Sequence, residues 1–147
     1  MILVGIALVL TVGWILLSPL FINKSADEAL PPEANTILAL GEFKNGEPGH
    51  KGSGTASLYQ MKDGTGNLRF ENFSVTNGPD LFVYLVKNPA PVTSDEVKAG
   101  FYKVAGLKGN LGNQNYAIPA DVNLADYESV VIFCRAFSVI FSSATLQ

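Results

Sequence analysis

The chain of 147 residues holds one cysteine, Cys134, and one histidine, His50, and each scarcity closes off a class of chemistry. A single thiol excludes an internal disulfide framework and any multi-cysteine zinc or iron–sulfur site, and a single imidazole excludes a centre built on several histidines of one chain. Charge is sparse as well: 16% of residues are charged, and the net charge is −3. That balance offers no basic footprint for nucleic acid, which is therefore not an expected partner. No serine sits in a nucleophile-elbow sequence, so no hydrolytic triad is visible. The length has room for one domain, and no internal repeat is present.

Charge is missing altogether from Met1 to Asn23, and this is where the hydrophobic excess lies. The run Ile2 to Ile22 is about the roughly 20 apolar residues needed to cross a bilayer, so one N-terminal transmembrane helix is expected over residues 1–23. Trp14 and Phe21 suit a membrane interface, and Pro19 falls near the helix end. No basic region precedes the run and no A-x-A-like site follows it, which favours an anchor over a cleaved signal. A polar, Gly-rich domain after a single span is expected outside the cytoplasm, at the cell surface or in the periplasm, or secreted if the segment is removed. Residues 24–34, with Pro31 and Pro32, have the composition of a linker.

From Asn35 onward the apolar residues come in short runs bounded by Gly, Pro, Asn and Asp, which predicts an all-β domain over 35–147. Ser53 to Leu58 alternates with period two, and Lys62 to Asn67 supplies a hairpin turn with Gly64 and Gly66 available for positive φ. In Leu68 to Val75 the alternation places Arg69 outward and then shifts phase near Asn72, which predicts a bulge there. Leu81 to Val86 is apolar on both faces and reads as a central strand. Thr93 and Glu96 have capping-box spacing for one short helical turn. Tyr116 to Pro119, Val130 to Cys134 and Phe137 to Phe141 read as strands, with a bulge or corner at Arg135. About seven or eight such strands in roughly 110 residues predict a β-sandwich, or a barrel of similar size.

Cys134 draws the most chemical interest. A lone thiol is either a small apolar residue within a strand or a group held for reactivity, and Arg135 beside it would lower the thiol pKa if its head lay close. Consecutive strand residues point to opposite faces, however, so adjacency does not guarantee contact. His50, in the Gly-rich loop Glu47 to Gly52, is the one imidazole that could join Cys134 in ligating copper or haem iron. Asp80 follows Pro79 in a turn and is expected to cap local backbone donors. The stretch Gly109 to Asn115 superficially looks like a phosphate loop but leads into an extended segment without a helix N-terminus, so its Asn and Gln side chains are expected to satisfy loop backbone. Asn72-Phe73-Ser74 and Asn23-Lys24-Ser25 match the glycosylation acceptor pattern.

Taken in order, Gly49-His50-Lys51-Gly52-Ser53-Gly54-Thr55-Ala56, Leu68-Arg69-Phe70-Glu71-Asn72-Phe73, Asn77-Gly78-Pro79-Asp80-Leu81, Gly112-Asn113-Gln114-Asn115-Tyr116 and Val131-Ile132-Phe133-Cys134-Arg135-Ala136-Phe137 resemble the DM-thirteen domain. The resemblance covers about Asn35 to Leu146. It implies an extracytoplasmic electron-transfer module whose cysteine, matched by Cys134, acts as a bare redox thiol or holds a prosthetic group such as haem. Phe133 stands where the family commonly has Trp, which keeps a ring and loses an indole donor. The expected function is thus a membrane-anchored redox module with another redox protein as partner. Cys134 is its candidate thiol or ligand, Arg135 tunes that thiol, and His50 is a second ligand. A dimer through Cys134 is a further expectation. The alternative is a non-enzymatic cell-envelope binding module in which Cys134 is core.

Overall fold

The computed structural model describes residues 2–18 and 22–147. Its architecture is two five-stranded sheets packed face to face, preceded by a helix. The helix, α1 (Ile2–Leu17), is followed by β1 (Ser25–Asp27), β2 (Ala34–Glu42), β3 (Lys44–Asn45), β4 (Gly52–Met61), β5 (Gly66–Val75) and β6 (Leu81–Val86). A short helix, α2 (Ser94–Lys98), then leads to β7 (Phe101–Gly106), β8 (Leu111–Ile118), β9 (Ser129–Cys134) and β10 (Val139–Thr145). One sheet runs β1-β8-β5-β4-β2 and the other β3-β10-β9-β6-β7. All pairings are antiparallel except that of β1 with β8.

The core lies between the sheets. Ala56, Leu58, Leu68, Phe70, Tyr116 and Ile118 from the first meet Val83, Leu85, Val130, Ile132 and Cys134 from the second. These are the alternate positions of each strand, as the period of a half-buried sheet requires. The second sheet also buries its outer face: Tyr84, Val86, Val131, Phe133 and Ile140 pack with Val97 of α2. That second layer explains why β6 is apolar at every position and β9 at every position after Ser129. Thr93 caps α2 by accepting from the Glu96 amide, and the Glu96 carboxylate accepts from the Thr93 amide, so the expected capping box is present.

The bulge near Asn72 is present as well. Asn72 has φ 49°, and the register of β5 slips against β8 between Phe70 and Phe73. At the first hairpin Gly64 takes a positive φ, whereas Gly66 is an ordinary strand residue of β5.

Several expectations are corrected. The transmembrane helix is not found: α1 has 16 residues, about 24 Å at 1.5 Å per residue, against a hydrocarbon core of roughly 30 Å. Among the described residues no helix is long and apolar enough to cross a membrane. Trp14 is exposed on α1, while Pro19 and Phe21 lie outside the described residues. The supposed spacer contributes β1, so part of it belongs to the sheet. Strand β8 begins at Leu111, seven residues from its end at Ile118, where a loop was expected. Its asparagines hide the strand because their polar groups bond to neighbouring segments. Phe137 is no strand residue: Arg135 to Ser138 form the turn between β9 and β10, leaving Phe137 69% exposed while Phe141 is buried.

Candidate functional site

Cys134 is the last residue of β9, held between Leu81 of β6 and Val139 of β10. Its side chain points inward and has no exposure. Arg135 begins the turn and goes the other way. Its Nε and Nη2 donate to the Asp80 carboxylate at 3.0 and 3.3 Å, and its backbone N–H donates to the Asp80 carbonyl at 3.0 Å. The guanidinium lies 4.6 Å from the centroid of Phe82, whose ring flanks the outer cluster of the second sheet and also receives Lys103 Nζ at 5.3 Å. Cys134 and Arg135 therefore sit on opposite faces, as strand alternation dictates. Asp80, expected to cap local amides, spends its carboxylate on Arg135 instead. A remote cation met where β6 pairs with β9 outcompetes the turn's own donors, a partner that no local sequence pattern announces.

His50 lies in the loop between β3 and β4, with its ring stacked on Phe141 at 3.8 Å. Its Nδ1 is buried, and among the described residues it is the one buried side-chain nitrogen or oxygen without a hydrogen-bond partner. Phe141 belongs to the same core cluster as Cys134, so both candidate residues border one body of packed side chains. Among the described residues no group of three or more His, Cys, Asp or Glu side chains comes together to hold a metal. A haem ligated by Cys134 does not fit this packing. Cofactor pockets are open cavities of several hundred Å³, whereas Cys134 Sγ is enclosed by the core. The five clefts described, about 390 to 640 Å³, are lined by other residues than Cys134 and His50.

A second polar constellation escaped the sequence. Arg69, expected to face solvent, is 5% exposed and donates from Nη1 to the Glu28 carbonyl at 2.6 Å and to Asn115 Oδ1 at 3.2 Å. Lys108 Nζ donates to both Glu28 carboxylate oxygens at 2.8 and 2.9 Å, and the Asn115 amide donates to Glu28 Oε2 at 2.8 Å. The Lys108 hydrogen bonds, with that amide, hold the Glu28 carboxyl below its usual range against the opposing effect of partial burial. Beneath it, the Tyr116 hydroxyl donates to the fully buried Gln114 Oε1 at 2.6 Å and accepts from the Lys108 amide at 3.0 Å. Burial pushes the Tyr116 hydroxyl far above its ordinary value, so it acts as a neutral hydrogen-bonding group. The signal that could have found this network is a lone arginine within an apolar strand, which needs a partner to be buried.

A family model described as electron transfer DM13 matches residues 42–146, more than two thirds of the chain. No curated protein and no solved structure matches it.

Proposed function

The chain belongs to the electron-transfer DM13 family, and on that premise we propose that it is an extracytoplasmic electron-transfer domain, associated with a membrane through α1, with Cys134 as its redox-active group. The observation that carries the proposal is the family match, which takes in the whole hairpin bearing Cys134. Membrane association is supported by the apolar surface of α1, where Val4, Leu8, Val9, Leu10, Trp14 and Ile15 are all exposed. Transfer to a partner protein is supported by the setting of the β9–β10 turn, which exposes Phe137 and whose exposed Arg135 shares the Phe82 ring with Lys103. Thiol–disulfide exchange requires a thiolate that reaches the attacked sulfur. Cys134 is one residue from the turn, so local opening of the hairpin tip is the step that delivers it. The same opening would precede any disulfide between two chains.

The burial of Cys134 favours a second reading, a binding module in which the thiol is core. The two separate in one experiment on the full chain: equilibration in glutathione redox buffers, with alkylation of the native thiol and an absorption spectrum on the same sample. The first reading expects a colourless protein that forms a reversible mixed disulfide at Cys134 while still folded. A thiol that reacts only in denaturant, with no redox couple lost in Cys134→Ala, overturns it in favour of the second.

A further inference from the structure

The stretch Gly109 to Asn115 has no part in the proposed redox chemistry, yet its edge is shaped to receive another segment. A Cβ on Gly109 would lie 2.4 Å from the Lys24 carbonyl oxygen, and one on Gly112 would lie 2.0 Å from that of Ala26. Both distances are impossible for a real side chain, so the two glycines leave the gap into which β1 fits. Around that gap the side chains bind the incoming backbone and its acids. Asn110 Oδ1 accepts from the Lys24 amide at 2.7 Å, Asn113 Nδ2 donates to Asp27 Oδ1 at 2.8 Å, and Asn115 Nδ2 donates to the Ala29 carbonyl at 2.7 Å. Arg69 and Lys108 then take the Glu28 carbonyl and carboxylate.

The segment so held is weakly tied by apolar packing. Ser25, Asp27 and Ala29 are exposed, β1 has only three residues, and Pro31 and Pro32 separate it from β2. The family match starts at residue 42, so the arm is also additional to the matched domain. Few buried apolar contacts and a short ladder mark a segment that opens well below the free energy of global unfolding.

We infer that the outer edge of β8 is a binding site for an extended acidic segment, filled by this chain's own residues 24–29, and that the arm is a releasable clasp setting how far the β domain sits from α1. Docked, the arm leaves only a few residues between helix and sheet. Released, residues 24–33 become a free tether of about 33 Å contour length, at roughly 3.3 Å per residue. Glu28 is the point at which the clasp is closed, by two cations and an amide. The inference holds whatever the domain transfers, so it stands apart from the chemistry of Cys134.

The test is tryptic cleavage after Lys24 in the full chain in detergent micelles, followed by mass spectrometry of the fragment 25–147, with circular dichroism reporting the sandwich. Glu28→Gln removes the ionic closure and Gly109→Ala obstructs the arm sterically. Each is expected to speed cleavage tenfold or more without changing the β signal. A disulfide between Asp27→Cys and Asn113→Cys, which are register partners, is expected to suppress it. Equal cleavage rates in wild type and both variants, cleavage that appears only as the β signal is lost, or undiminished cleavage in the cross-linked chain would each overturn the clasp.

Discussion

At the scale of single residues, burial decides what Cys134, Arg69 and Glu28 do. Cys134 fills core volume whatever its redox role, so Cys134→Ala is expected to cost about 1–2 kcal/mol, measured by urea unfolding. Glu28 supplies a pH dependence with a definite sign. Its folded carboxyl titrates below the unfolded value of 4.5, so the stabilisation it gives is present above about that pH and is lost as pH falls through the lower folded value. The carboxylate is partly exposed, so salt screens the effect. Opening of the arm, read as hydrogen exchange of the Glu28 amide that donates to the Asn113 carbonyl and corrected for the intrinsic rate at each pH, should therefore accelerate in acid in the wild type and lose that acceleration in Glu28→Gln. Unchanged acid sensitivity in the variant would assign it to other carboxylates. His50 was legible only as a residue, since nothing in the loop Glu47 to Gly52 indicates that its ring stacks on Phe141, more than ninety positions away.

At the scale of elements, the hairpin β9–β10 separates two phenylalanines that the alternating pattern had joined. Phe137, at the turn, is expected to tolerate Ser within about 0.5 kcal/mol. Phe141, in the core and against His50, is expected to lose about 3–5 kcal/mol on change to Ala. Denaturant midpoints of the two variants check this, and a similar loss at both would mean that residue 137 is in a strand after all. The bulge in β5 makes a further distinction. Asn72 holds a left-handed φ of 49°, so Asn72→Gly should be nearly neutral and Asn72→Val destabilising by roughly 1–2 kcal/mol. Local sequence carried the bulge, because a shift in apolar phase requires one, and it carried the capping box of α2. It carried the end of β8 from Tyr116 to Ile118 but not its first residues, Leu111 to Asn115, whose Asn and Gln side chains have the composition of a loop. Only the bonds to the arm and to buried Gln114 account for that composition.

At the scale of the whole molecule, the sandwich and its N-terminal arm are expected to separate in stability. Removal of residues 1–30 should leave a chain that still unfolds in one transition, weakened by about 1–3 kcal/mol because Arg69 and Lys108 lose acceptors. Failure of that chain to fold would make the arm an obligatory strand. The sequence by itself determined that the domain is all-β, because period-two alternation with Gly and Pro punctuation buries apolar faces as sheets, and it left sandwich and barrel open until the strand pairing gave two sheets. It also carried the family, through residues spread in order along the chain, and the sparing use of Cys and His that excludes many metal centres. Only the tertiary structure decided which face each strand end presents, and so set Cys134 in the core while Arg135 went outside to Asp80. It also decided that polar residues of 24–30 close over a buried arginine. Both results depend on contacts between segments tens of residues apart, and hydrophobic periodicity, being local, has no term for them.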